Sequence, residues 1–312
     1  MGVPFCPDRT NAVPASVSQP QPQQLKVTVS IIICTRNRGN DLRQTLETIG
    51  TLDVPADLPT EVLVVDNGST DHTSEVVRNA KLPVMDLRYV YAPRKGKGNA
   101  YNAGMAQAKG GIFLFTDDDV RPPKNWIEQM TAPILRNRAH AVLGAIKMAS
   151  HLERDWMTPF HRSWFTTDGL LKDGPNLHLI GANMSFARTV LERIPRFDVE
   201  LGPGGLGFRE DSLFTQQLHI GGYSITVAPN SVVEHHFDAS RLEFKQLKER
   251  MAREGQSLAY VAYHWEHVSD QFVHYKLFRA LCSLRKARLK SILRGRCSAA
   301  PTEHEMRLIP PP

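Results

Sequence analysis

The chain has 312 residues, 41% hydrophobic and 22% charged, enough for one large globular domain with an appendage. No apolar run approaches the ~18 residues that span a bilayer, and the first residues lack the basic-then-apolar layout of a secretory signal. A net charge of +6 favours anionic partners without choosing among nucleotides, lipid head groups and nucleic acid. Four scattered cysteines (Cys6, Cys34, Cys282, Cys297) suit a reducing cytosol better than a disulfide framework.

Residues 1–26 mix Pro4, Pro7, Pro14, Pro20 and Pro22 with glutamines and small polar residues, which predicts an unstructured tail. Order is expected from Val27-Thr28-Val29-Ser30-Ile31-Ile32-Ile33-Cys34, a nearly continuous apolar strand of the kind covered on both faces. Asn40 or Asp41 then caps a helix bearing Leu42, Leu46 and Ile49. A second buried strand, Glu61-Val62-Leu63-Val64-Val65, ends at Asp66. The polar turn after it leads into a helix from about Thr73 to Ala80. A third strand lies near Leu87 to Tyr91. A basic Gly-rich loop around Lys97 and a helix through Ala100 to Lys109 follow it, and a fourth strand runs to Thr116. Strand–helix alternation predicts right-handed crossovers and a mostly parallel sheet flanked by helices on both faces. Ligands in such sheets bind at the carboxyl ends of strands, where Asp66, Lys97 and the residues after Thr116 fall.

Those residues are Asp117, Asp118 and Asp119. Crowded carboxylates repel one another and lose hydration unless a cation compensates them. A hard divalent ion such as Mg2+ or Mn2+ accepts oxygen ligands and substrate phosphates together. The alternative is a helix cap, with Asp118 or Asp119 opening a helix at Pro122-Pro123-Lys124.

Further along, strands are expected at Ala141–Ile146, Ile180–Phe186, Tyr223–Val227 and Ser231–Val233, the last ending at His235-His236. A Gly-rich loop at 201–207, with Gly204, Gly205 and Gly207, suits closure over a ligand, and Glu210-Asp211 opens the next helix. From Arg241 the chain reads as helical to about His264 and again from about Phe272 to Arg294. Trp126, Trp164 and Phe208 are candidates for stacking on a ligand, with core packing as the alternative.

Several of these segments, in this order, resemble the family 2 glycosyltransferases. They are Ser30–Arg38, Val64–Asp71, Gly98–Gly104, the aspartate run, Gly181–Phe186 and Phe208–Phe214. Two departures stand out: Phe208 and Arg209 replace the glycines of many relatives, and Tyr101 replaces an arginine. The resemblance implies a GT-A type nucleotide-sugar-binding α/β fold over 27–240. A C-terminal helical extension at 241–297 and a disordered tail at 298–312 would follow it. It implies a metal-dependent, inverting transfer of sugar from a nucleotide-diphosphate donor to a glycan, lipid-linked or small-molecule acceptor hydroxyl. Asp211 would be the general base and Glu210 its neighbour and orienter. Thr35, Asn37, Asp66, Lys97, Asn102, Asp117 and Asp118 would bind the nucleotide-sugar, while Asp119 and His235 would hold Mg2+ or Mn2+. For Asp66 the alternative is a side chain bonding its own turn; for Lys97, a solvated loop lysine; for His235, a packing residue.

Rival functions are a sugar nucleotidyltransferase and a non-catalytic nucleotide-sugar-binding protein. A dinucleotide-dependent oxidoreductase would need G-x-G-x-x-G after Ile33 or Val65, where none occurs. No groove-reading or base-stacking module is legible, so nucleic acid is not an expected partner. Segment 272–296 combines basic residues with Leu277, Phe278, Leu281, Leu284 and Leu289, a composition suited to peripheral membrane contact or to docking on the catalytic domain. The expected location is cytoplasmic, or peripheral at the inner face of the membrane.

Overall fold

A strand with apolar residues at every position needs cover on both faces, and two helical layers provide it. The computed structural model describes residues 29–167, 171 and 177–267. The parallel part of the sheet consists of β1 (Val29–Thr35), β2 (Thr60–Asp66), β3 (Asp86–Tyr91) and β4 (Ile112–Asp117), in spatial order β3-β2-β1-β4. On one face, Ile31, Ile33, Val62 and Val64 pack against Leu42, Leu46 and Ile49 of α1 (Gly39–Ile49). Val76 and Val77 of α2 (Thr73–Asn79) join them there. On the other, Ile32, Leu63, Val65, Phe113 and Phe115 meet Ala100, Tyr101 and Met105 of α3 (Lys97–Gln107). Burying each large apolar side chain stabilises the fold by roughly 1.5–3 kcal/mol, so the alternation fixes which face each residue takes.

The chain then adds β5 (Val120–Arg121), α4 (Trp126–Leu135) and β6 (Ala141–Met148). After these come α5 (Pro159–Arg162), β7 (Asn183–Ala187), α6 (Glu210–Ile220), β8 (Ile225–His235) and α7 (Phe244–His264). The complete sheet has eight strands in the order β3-β2-β1-β4-β7-β6-β8-β5. Its second half is mixed: β7 runs antiparallel to β4 and β6, β8 runs parallel to β6, and β5 is antiparallel to β8. The α/β architecture expected from the strand–helix alternation is therefore present.

Three details differ from the sequence reading. The aspartates do not cap a helix: they lead into β5, and α4 starts only at Trp126 behind Asn125. The two strands expected at 223–227 and 231–233 are one strand, β8, because a register shift opposite Gly144/Ala145 absorbs the residues between Ala228 and Val232. Helix α1 begins at Gly39 behind Arg38, with no side-chain cap from Asn40 or Asp41.

Register also aligns the strand ends. Thr35 sits beside Asp66, Cys34 beside Asp117, and Asp66 beside Tyr91. The turns after β1, β2 and β4 thus open on one edge. Helix α7 returns to that edge: Val261 packs with Leu201 and Leu213, and Leu247 with a cluster containing Met148, Phe165 and Phe237. Among the described residues no helix is long and apolar enough to cross a membrane. Segment 272–296 and both expected tails lie outside the described residues.

Candidate active site

The end of β4 delivers three carboxylates to three different partners. Asp117 pairs with Lys97 Nζ at 2.8 Å. Asp118 accepts from Thr35 Oγ1 at 2.7 Å and from Arg38 Nη1 at 2.7 Å. Asp119 accepts from the same Arg38 nitrogen at 2.9 Å, and Arg241 lies 3.8 Å away. One guanidinium therefore ties two adjacent carboxylates. Burial pushes the Asp118 carboxyl up, to about 7, against the opposing pull of Arg38. Asp119 moves the other way: burial opposes ionisation, but His235, Arg38 and Arg241 together hold its carboxyl well below the usual range.

Sheet pairing explains how His235 arrives there. Val120 sits opposite His235 in the β5–β8 ladder, and the His236 N–H donates to the Asp119 carbonyl at 2.7 Å. Successive strand residues face opposite ways, so one histidine of the pair turns inward. It is His235: its Nε2 lies 3.4 Å from Asp119 Oδ1, whereas His236 pairs with Glu234 at 2.9 Å. The Nδ1 of His235 stands 3.1 Å from the Phe165 carbonyl oxygen. A carbonyl can only accept, so Nδ1 carries a proton there, and Nε2 is the ring nitrogen that faces Asp119. Asp119 Oδ1 is buried and has no hydrogen-bond partner among the described residues.

The opposite wall is the first turn of α6. Asp211 accepts from the Gly181 N–H at 3.1 Å and the Ser212 N–H at 2.7 Å. Beside it Glu210 is buried, with Lys97 Nζ at 3.8 Å. Burial, then the negative charge of Asp211, raises the Glu210 carboxyl despite Lys97. The ammonium of Lys97 thus lies between Asp117 and Glu210 and links the two acidic groups. The solvated-lysine alternative does not describe it.

A cavity of about 710 Å³ opens between these walls. Thr35, Lys97, Asp117, Asp118, Asp119, Glu210, Asp211 and His235 all line it. Three other predicted residues do not. Asp66 is buried and accepts from the Ser69 N–H and the Tyr89 hydroxyl, both at 2.7 Å, which is the turn-bonding alternative. Asn37, at φ 54°, accepts from the Thr70 N–H at 2.7 Å and so ties the turn after β1 to the turn after β2. Asn102 clamps Phe197 through both its backbone groups, at 2.9 and 2.8 Å. Its amide is spent on holding α3 against the loop before α6.

Of the aromatic candidates, Trp126 is fully buried and donates to Asn183 Oδ1 at 2.9 Å, a core role. Trp164 and Phe208 line the cavity. Sequence reasoning gave no role to Arg38, although it lies inside the Ser30–Arg38 segment. It also missed Arg209, Arg241, Arg250 and Arg253, which line the cavity from the loop before α6, the turn after β8, and α7. The one signal available for the last two was the i, i+3 spacing of Arg250 and Arg253 on a predicted helix, which puts them on one face.

Comparison with known proteins agrees with this geometry. A sequence model described as glycosyl transferase family 2 matches residues 30–195. The succinoglycan biosynthesis protein ExoM of Rhizobium meliloti (strain 1021) is 26% identical over 245 residues, 73% of each chain. Among solved structures, the mannosyltransferase PcManGT from Pyrobaculum calidifontis, in complex with GDP-Man and Mn2+, superposes with a TM-score of 0.63. Its sequence is 20% identical, and the match covers 89% of this chain and 78% of that one. Glucosyl-3-phosphoglycerate synthase from Mycobacterium tuberculosis, in complex with Mn2+, UDP and glucosyl-3-phosphoglycerate, gives a TM-score of 0.51 at 20% identity. There the match covers 75% of this chain and 79% of the other. At such identities the structural likeness establishes the GT-A type fold.

Proposed function

This chain belongs to glycosyl transferase family 2 and is a glycosyltransferase, and from that premise we propose that its cavity carries out metal-dependent, inverting sugar transfer from a nucleotide-diphosphate donor. The observation that carries the reading is that Asp119 and Asp211, 92 positions apart, line one cavity. PcManGT and glucosyl-3-phosphoglycerate synthase hold Mn2+ with a nucleotide or nucleotide-sugar on the same type of fold.

Among the described residues, no three His, Cys, Asp or Glu side chains cluster so as to hold a metal ion by themselves. The donor set is a pair, Asp119 and His235, and it suits a divalent cation completed by diphosphate oxygens. Asp119 Oδ1, buried and without a hydrogen-bond partner among the described residues, and His235 Nε2 face each other at 3.4 Å. The cation, when bound, stabilises the negative charge that collects on the leaving nucleoside diphosphate.

The chain's own residues divide the rest. Lys97, between Asp117 and Glu210, is a cation at the cavity wall for a phosphate oxygen. Thr35, Asp117 and Asp118 line the donor side, and Asp66, Asn37 and Asn102 shape the turns and the helix that hold it. Asp211 takes the proton of the acceptor hydroxyl as that oxygen bonds to the anomeric carbon. The bond from that carbon to the donor phosphate oxygen breaks, and its electron pair leaves with the nucleoside diphosphate. Two backbone N–H bonds keep Asp211 oriented with its charge in the cavity. A single displacement of this kind inverts the anomeric configuration.

The test is a panel of sugar nucleotides assayed for Mn2+-dependent turnover in wild type and Asp119→Ala. Loss of turnover in the variant, and in wild type with chelator, is expected. Undiminished turnover in both would refute the metal assignment.

A further inference from the structure

Helix α7 brings an uncompensated positive charge to the acceptor side of the cavity. Three contacts fix it there: Arg209 pairs with Glu254 at 2.6 Å, the Phe208 N–H donates to Ser257 Oγ at 3.2 Å, and Gly207 leaves no room for a Cβ beside the Arg253 stem. Arg209 holds this arrangement from a left-handed backbone conformation, φ 73°. A non-glycine residue persists there only when its surroundings enforce it.

Arg250 is the residue so positioned. Its guanidinium lies 4.4 Å from the Phe208 ring centroid, with the rings of Phe165 and Trp164 at 5.4 and 5.7 Å, and it donates to the Trp164 carbonyl at 3.2 Å. Among the described residues no carboxylate lies within 4.0 Å of it, nor of Arg253. By contrast Arg38 and Lys97 on the donor side are fully paired. Burial beside Arg241 pushes the Arg250 guanidinium down, to about 10, so it remains a cation at neutral pH. Arg250 and Arg253 share this end of the cavity lining with Glu249 and Glu254; Glu254 is already committed to Arg209, and Arg241 reaches Asp119 at 3.8 Å. A half-buried cation without a counter-charge is costly unless a ligand supplies one. A planar guanidinium backed by rings is the group that recognises phosphate through paired donors.

We propose that Arg250, supported by Arg253, forms an acceptor subsite for a phosphate group, so that the acceptor is a phosphate-bearing alcohol rather than a neutral sugar. The proposal rests on the assignment of Asp211 as the acceptor's base. That base lies close enough to Arg250 to act on its charge, and both line the cavity.

Calorimetric titration of the full chain with glycerol 3-phosphate and with glycerol tests it. Wild type should bind glycerol 3-phosphate about tenfold more tightly than glycerol or better. Arg250→Gln should lose about that factor, and Arg250→Lys should recover part of it. Thermal melting of each variant separates lost binding from lost folding, and Arg253→Gln gives a second, smaller loss on an exposed residue. Sedimentation with phosphatidate vesicles, against phosphatidylcholine vesicles, identifies the source. Arg250-dependent capture points to a lipid phosphate, and binding of glycerol 3-phosphate alone points to a soluble one. Equal binding of glycerol and glycerol 3-phosphate, or an Arg250→Gln affinity within twofold of wild type, would overturn the subsite. UDP and GDP are titrated into wild type in parallel: if neither binds, the donor assignment fails, and the phosphate result is judged by itself.

Discussion

The sheet carries buried carboxylates at both ends of its strands, and the two ends treat them differently. At the amino end of β2, Glu61 is surrounded by donors: Ser30 Oγ at 2.6 Å, Arg88 Nη1 at 2.7 Å and the Lys109 N–H at 2.5 Å. Burial alone would raise its carboxyl, but these donors outweigh it and hold the group below its ordinary value. At the carboxyl end, Asp118 and Glu210 are raised in spite of nearby cations. Among the described residues Asp119 Oδ1 and the Tyr101 hydroxyl are buried without a hydrogen-bond partner, as is Ser231 Oγ in β8. Of these, Asp119 lines the cavity, where a ligand can satisfy it.

Removing the base should break the contrast most severely. Asp211→Asn keeps the shape of the α6 turn but cannot take a proton, so sugar transfer should fall by about 10²–10⁴-fold. Binding of the nucleoside diphosphate should persist, because the donor-side residues are untouched. Steady-state transfer kinetics together with nucleotide titration make the check, and a variant with near wild-type transfer would remove Asp211 from the mechanism.

The next effect is on stability. Arg38→Leu strands two adjacent carboxylates that are 4% and 2% exposed. Arg38 itself is 31% exposed, so water screens part of the interaction. The expected loss lies between the roughly 1 kcal/mol of an exposed pair and the roughly 3–5 kcal/mol of a buried one. Adding Asp118→Asn removes one of the two carboxyl groups and should restore part of the loss at pH above about 7, where Asp118 would ionise, which urea unfolding of the single and double variants measures. Simple additivity would show that the guanidinium and the carboxylate do not interact energetically.

The legibility of the molecule follows the same division. The parallel strands were readable because each is a short apolar run ending in polar turn residues, and both faces of the sheet are apolar. The acidic run and Glu210-Asp211 were readable because they sit at predictable element ends. The second half was harder: β8 is one strand interrupted by a shift of register opposite Gly144, and no local pattern distinguishes that from two strands. The cavity wall built by α7 was not legible. Arg250 acquires its role from Phe208, Phe165 and Trp164, which are distant in sequence, so only the packed structure brings them together. Similarly, Asp66, Asn37 and Asn102 carry side chains that suit a ligand or a backbone equally well. Which they serve depends on the loop that folds against them.

The smallest expected effect sharpens the comparison from the amino end. Glu61→Gln keeps the size of the side chain but removes the charge that Ser30, Arg88 and Lys109 surround, and should lower stability by about 1–2 kcal/mol at neutral pH. The sign with pH follows from the depressed carboxyl. Its stabilising contribution is complete above the unfolded value of about 4.3 and is lost as pH falls through the lower folded value. Wild type should therefore lose stability toward acid more steeply than Glu61→Gln, so that the two unfolding curves converge once pH has fallen through the depressed folded value. Because Glu61 lies at the opposite end of β2 from the cavity, catalytic turnover at 25 °C should be unchanged in the variant. Denaturant midpoints measured across this pH range would decide it: parallel curves with a constant gap would mean that the network contributes through packing and not through the ionised carboxylate.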